Sequence, residues 1–394
     1  MFDFRTLGLG LLTLGTLAAC DAGLDTPSDD ALGAPPALVE ANGTIGSRYQ
    51  PLSATFHPAD GASSLVPLTL TTGYQIAAPS GTAATHLTVS SAGVVTPSYL
   101  AGGAVFGGGF DRISEDGSGV GTGSAYVSSY VDLASVAYVG ADLLVAGSVD
   151  IENPAIAAIQ PRILSAALLA KVNPATGLPI AVADLSSQFV MDAVYPAAGD
   201  SYYAVTGDDG DVYQIAKADL SATSLGQIAD LRSVALSGSS LFVLDGSGTV
   251  RVRDLSDASG SFTAFASVGA FASGTIAKMV AHDGTLYVPD GTAGFKAFDA
   301  ASGTELGGME IGAVKSFAFS STHVFVANAD GGVLVAEWAP QDGTDYLFYA
   351  GRIDFSEAGA DNGQVNHLAV VDNALYAAAG DLGVFKVTFG ATAH

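Results

Sequence analysis

Along the second two-thirds of the chain, apolar positions recur in a two-residue rhythm broken by turns. Laid over one another, SVALSGSSLFVLDGSGTVRVRDL, KMVAHDGTLYVPDGTAGFKAFDA, SFAFSSTHVFVANADGGVLVAEW and HLAVVDNALYAAAGDLGVFKVTF each hold three short alternating runs, which predicts strand, turn, strand, turn, strand. The first strand is anchored at Val136, Val234, Met279, Phe317 and Leu368. Seven residues later the second strand is anchored at Leu143, Leu241, Leu286, Val324 and Leu375. A sixth copy has its second anchor at Tyr203, after a longer first turn. Nine residues then lead to the third strand in five copies: Tyr203 to Val212, Leu241 to Val250, Leu286 to Phe295, Val324 to Val333, and Leu375 to Val384. Asp245-Gly246, Asp290-Gly291 and Gly380-Asp381 fall in the turns, where glycine reaches positive φ without strain and an aspartate can bond the turn backbone.

The second anchors stand 38 to 60 residues apart, the spacing of blades that stack around an axis. A single blade exposes both apolar faces, and closing the ring buries them all. The prediction is an all-β propeller of seven blades, within a range of six to eight. Residues 51–129 are irregular, and GGAVFGGG (Gly102–Gly109) and DGSGVGTG (Asp116–Gly123) read as loops. This stretch is expected to supply one further blade and a strand that closes the ring against Val384–Phe389. The longest gap, Leu143 to Tyr203, reads as an insertion over 150–188 holding Pro154, Pro161 and Pro174, either a partner-binding elaboration or a long loop. LYVPDGTAGFKAFD and LFVLDGSGTVRVRDL resemble the LVIVD and related propeller repeats of bacterial and archaeal surface proteins. The resemblance covers about residues 130–394 and bears on fold more than on function.

Composition agrees with many short strands: 49 glycines, one tryptophan, one cysteine and 49% apolar residues in 394. Fourteen Lys plus Arg against 39 Asp plus Glu leave a formal charge of −25, which repels nucleic acid and an anionic membrane surface alike. Such charge suits solubility in a salty exterior; a cationic partner or divalent metal is the other reading.

The N-terminus changes the picture of where the protein works. Thr6–Ala19 is an uncharged run of 14 residues, too short to span a bilayer permanently, and it reads as a cleavable signal. It ends in Leu17-Ala18-Ala19-Cys20, which resembles the bacterial lipobox and implies that the Cys20 sulfur receives diacylglycerol and the chain a palmitate-type anchor. The alternative is an ordinary secretory signal with a stray thiol. Residues 1–19 are thus expected to be a lipoprotein signal peptide, 20–50 a flexible tether rich in Asp, Pro, Ala and Gly, and 51–394 the propeller. In enterobacterial lipoproteins an Asp after the lipidated cysteine, as Asp21 is here, favours the inner membrane; the rule varies between lineages, so the leaflet stays open. The expected setting is the cell envelope, with a monomer touching the membrane through lipid alone.

Cations are scarce enough for their placement to inform. Arg232, Lys278 and Lys315 lie one or two residues before first-strand anchors and His367 joins them, which puts them on one face near the axis. They form either an anion-binding pocket at the channel mouth or inter-blade pairs with the turn carboxylates Asp208, Asp245, Asp290 and Asp330. Asp208-Asp209-Gly210-Asp211 lacks calcium-loop spacing and reads better as a solvated turn. The histidines, at 57, 86, 282, 323, 367 and 394, make no H-E-x-x-H motif. With Cys20 committed to lipid there is no haem-attachment motif and no thiol nucleophile; no G-x-S-x-G is present, and one tryptophan argues against a quinoprotein dehydrogenase. Two classes stand. One is a tethered, non-catalytic module that binds an envelope protein or surface ligand without a cofactor. The other resembles lactonase-type propeller hydrolases and implies a channel calcium, for which Asp192, Asn366 and His367 are the candidates.

Overall fold

The computed structural model describes residues 40–59, 68–101, 106–115, 120–128, 130–153, 166–177, 179–207, 210–329, 332–341, 344–355 and 364–391. Four strands precede the first complete blade: β1 (Glu40–Thr44), β2 (Tyr49–Leu52), β3 (Thr55–Pro58) and β4 (Leu68–Ile76), with one 3-10 turn at Gly46–Arg48. Blade 1 holds β5 (Thr82–Val89), β6 (Val94–Ala101), β7 (Gly109–Glu115) and β8 (Val120–Val127). Blade 2 holds β9 (Val131–Val139), β10 (Asp142–Val149), β11 (Ala167–Val172) and β12 (Pro179–Val182). Blade 3 holds β13 (Val190–Val194), β14 (Ser201–Thr206), β15 (Asp211–Ala216) and β16 (Ala222–Gln227). Blade 4 follows with β17 (Leu231–Ser237), β18 (Ser240–Asp245), β19 (Thr249–Asp254) and β20 (Thr263–Ser267). Blade 5 holds β21 (Val280–His282), β22 (Thr285–Asp290), β23 (Gly294–Asp299) and β24 (Glu305–Glu310). Blade 6 holds β25 (Val314–Phe319), β26 (Val324–Asn328), β27 (Gly332–Gln341) and β28 (Thr344–Asp354). β29 (His367–Val371), β30 (Ala374–Ala378) and β31 (Val384–Ala391) begin blade 7.

The ring closes as expected: β4 completes blade 7 by pairing antiparallel with β31, Ile76 opposite Val384 and Leu70 opposite Phe389. Each innermost strand packs on the next, from β5 round to β29 and back to β5. Seven sheets make seven blades, and apolar clusters fill the seams between them.

Strand structure begins eleven residues before the expected start of the propeller. β1 adds a fifth strand to blade 1 by pairing with β8, β2 a fifth strand to blade 7 on β4, and β3 a fifth strand to blade 6 on β28. Residues 40–58 therefore form a strap over the outer edges of three blades. Ile45, 1% exposed, seats where Gly123 leaves room: a Cβ on Gly123 would stand 2.0 Å from its side chain. This explains a glycine in a stretch that reads as loop. Val120–Gly123 belongs to β8, and Gly109 opens β7.

Two other readings shift. The second half of the 150–188 gap carries regular blade structure, with β11 and β12 in it and Pro174 in the turn between them; residues 154–165, with Pro154 and Pro161, lie outside the described residues. In blade 3, Tyr202 and not Tyr203 is equivalent to Leu241: each stands three residues before the partner of the third-strand anchor, Val205 opposite Val212 and Leu244 opposite Val250. The turn there is one residue longer, and a one-residue slip exchanges the faces. The turns at Gly291 (φ 55) and Gly380 (φ 56) have the positive φ expected of them; Asp208, Asp209 and Asp330 lie outside the described residues.

Candidate functional site: the channel wall and the blade seams

A recurring bulge shapes the channel wall. In five innermost strands one residue is extra to the pairing: Thr85, Ala134, Met191, Arg232 and Lys315. Bulges re-aim side chains, so the residue after each bulge turns toward the neighbouring blade. There Asp192 accepts from Val234 N–H at 3.2 Å, Ser233 from Met279 N–H at 2.8 Å, and Ser316 from Leu368 N–H at 3.2 Å. Each clasp joins an acceptor to the anchor amide of the next blade. The aligned repeats carry its signal, a serine directly before the anchor at Ser135, Ser233 and Ser316.

Lys278 of blade 5 reaches over blade 4 to Asp192 of blade 3, Nζ to Oδ1 at 3.0 Å, both side chains over nine-tenths buried. The second carboxylate oxygen of Asp192 accepts from the Ser233 hydroxyl at 2.7 Å. His367 stacks on His86, ring centroids 3.6 Å apart at 26°. Enclosure by protein holds the pKa of both well below the usual histidine range; the proximity of the rings lowers that of His86 further, and the Lys278 ammonium acts on both. Their Nδ1 atoms are buried without a partner. Asn366 donates from Nδ2 to Ala84 O at 2.9 Å, tying blade 7 to blade 1.

The expected cation cluster is thus divided. Lys278 and His367 share the channel with His86, which sequence reasoning did not single out because β5 lies outside the aligned repeats. The Lys315 carbonyl accepts from Lys278 N–H at 2.7 Å. Arg232, 2% exposed, pairs instead with Asp230 at the head of its own strand. Of the turn carboxylates, Asp245 pairs with Arg251 of its own blade, Nη2 to Oδ2 at 3.5 Å, and Asp290 accepts from Gly269 N–H of blade 4. For the calcium candidates, the Asp192 oxygens and the Asn366 amide are engaged as described. Among the described residues no three His, Cys, Asp or Glu side chains converge to hold a metal ion.

The seam between blades 7 and 1 sets two ion pairs beside the apolar side chains of Ile45, Ile76 and Ile113. Arg48 donates to Asp111 Oδ1 at 2.6 Å and to Ala77 O at 2.8 Å, and Tyr99 donates to Asp111 Oδ2 at 2.6 Å. Burial of Asp111 still raises its carboxyl pKa, while the Arg48 partnership lowers it by less. Further along, Glu115 takes an ion pair from Lys386 and a hydrogen bond from Tyr74 at 2.7 Å. The Lys386 ammonium lies 5.8 Å and 5.5 Å from the ring centroids of Tyr74 and Tyr376, and burial and the Glu115 charge push both phenols up.

The fold is shared with proteins of distant sequence. The chain is similar to U3-55K, at 12% identity and TM-score 0.57 over 84% of this chain and 100% of that one. It is also similar to the WD40 repeats of RRP9, at 12% identity and TM-score 0.58 over 85% and 100%. This similarity establishes the seven-bladed propeller. No family model and no curated protein matches the chain.

Proposed function

We propose that the protein is a lipid-anchored, extracytoplasmic propeller that acts as a non-catalytic protein-interaction module, held at the cell envelope through Cys20. The observation that carries the interaction role is the hairpin of β27 and β28, whose strands of 10 and 11 residues exceed every other in the described chain. Along β28, Leu347 and Tyr349 pack on the core, while the alternate Tyr346 and Phe348 are 46% and 41% exposed. The two exposed rings meet edge to face at 6.5 Å and 61°. On the facing strand Trp338 is fixed by its Nε1–H bond to the Tyr287 hydroxyl, 2.7 Å. Rigidly presented aromatics are the residues that protein interfaces favour, and exposed apolar clusters mark such surfaces. The tether rests on the lipobox-like Leu17–Cys20, which lies outside the described residues.

A photo-crosslinking residue placed at 348 in the full-length chain, expressed in bacterial cells, is expected to capture a discrete partner. The same residue at 180, where Ile180 is 51% exposed on β12, is expected to capture none. Equal capture at both sites, or none at 348, overturns the interaction surface. Separately, fatty-acid labelling is expected in the wild type and lost in Cys20→Ser, with release from membranes; an unlabelled wild type overturns the anchor.

A further inference from the structure

The outer end of the seam between blades 3 and 4 departs from the apolar seams between blades 2 and 3, 5 and 6, and 6 and 7. On third strands, two positions face the preceding blade. They hold Tyr213 and Ile215 in blade 3, Leu334 and Ala336 in blade 6, and Phe385 and Val387 in blade 7. Blade 5 has Lys296 and Phe298 there, and blade 4 has Arg251 and Arg253. Cross-strand pairing with Val243 and Leu241 fixes the face on which the two arginines stand. Three of the chain's eight arginines, at 232, 251 and 253, belong to this one blade.

A groove of about 740 Å³ opens there, lined by Arg251, Arg253, Asp230, Asp245, Ile228 and Phe262 among others. Its size is that of a small-molecule site. Arg253 is braced by Nη1 on Leu225 O at 2.7 Å and Nη2 on Ala258 O at 3.4 Å. Arg251 is less committed: its side chain is 35% exposed and meets Asp245 only at 3.5 Å. Asp245 is already served by its own turn, Oδ1 accepting from Ser247 N–H at 3.0 Å and Thr249 N–H at 3.1 Å. The Nε atoms of all three arginines have no partner. With Arg232 paired to Asp230, three guanidinium groups stand against two carboxylates, in a chain whose net charge is −25.

From this we infer that the groove binds an organic carboxylate, its anionic group held by Arg251 beside Arg253 and its apolar body against Phe262 and Ile228. Asp230 and Asp245 in the groove lining repel a dianionic phosphate more than a monocarboxylate, and a guanidinium matches a carboxylate in planar, two-point geometry. The carboxylate can belong to a free acid or to a peptide C-terminus. The inference stands independently of the hairpin interface and of the lipid anchor.

The test uses arginine Nε–H resonances, few enough in this chain to resolve, during titration of the intact protein with N-acetylphenylalanine. Saturable shifts confined to Arg251 and Arg253 are expected, with no such shifts for N-acetylphenylalaninamide. Arg251→Gln is expected to weaken binding at least about tenfold, the loss typical of one charged hydrogen bond, whereas Arg352→Gln on blade 6 leaves it unchanged. A peptide ending in phenylalanine that binds tighter than the free acid identifies a C-terminus as the ligand; equal or weaker binding identifies a small acid. Absence of saturation, equal binding of the amide, or unchanged binding in a folded Arg251→Gln protein overturns the site.

Discussion

Two seams of one ring treat charge in opposite ways. Between blades 7 and 1, Asp111 receives Arg48 and Tyr99, and Glu115 receives Lys386 and Tyr74. Between blades 3 and 4, the outer arginines hold one loose carboxylate contact and backbone carbonyls, beside an open groove. A buried charge is tolerated when its partners are complete, so the first seam reads as structure. The second keeps donors in reserve, and that difference separates a clasp from a candidate site made of the same residue types.

The sharpest way to break the contrast is to remove one partner from the closed seam. Arg48→Ala leaves Asp111 buried with Tyr99 alone, and a loss of about 3–5 kcal/mol in denaturant unfolding is expected. Next comes pH. His86 and His367 have folded pKa values below their unfolded value of about 6.5. Stability is therefore complete above pH 6.5 and lost as pH falls below it, by up to about 1.4 kcal/mol per pH unit for each histidine. Melting between pH 7.5 and 5 is expected to show this slope, and His86→Gln with His367→Gln to remove it. Ser233→Ala strips the Met279 amide of its acceptor inside the channel wall and is expected to cost about 1–3 kcal/mol. In the open seam, Arg251→Gln is expected to change stability by no more than about 0.5 kcal/mol, because its partner is loosely held. Because Lys278 and Ser233 occupy the Asp192 carboxylate, chelation with EDTA is expected to leave the melting temperature unchanged.

The blades were legible because each buries both faces and so repeats its apolar spacing, and the closing strand followed from the need to finish the ring. The strap was not legible. β2 and β3 are outermost strands with mostly exposed side chains, and strands of that kind carry no apolar alternation. Nor can repeat spacing show a bulge, which inserts one residue into the pairing and turns Arg232 toward Asp230 instead of the axis. The arginine pair of blade 4 lies in plain view in the aligned repeats, at positions where other blades hold Phe298, Leu334 or Val387. Alternation already puts both arginines on one face; what the alignment lacks is the groove that opens beside them.

The strap also sets a timetable. Blade 7 joins β2 and β4, at 49–52 and 68–76, to residues 367–391, and β3 waits for β28 at 344–354. A chain that emerges N-terminus first, from the ribosome or across a membrane, carries the first of these segments without partners until almost its whole length has followed. Until then the edge of β4 lacks the strand that pairs with it, and an unpaired strand edge is a template for pairing with another copy. A single late event, the docking of β31 on β4, closes the ring around residues made among the first.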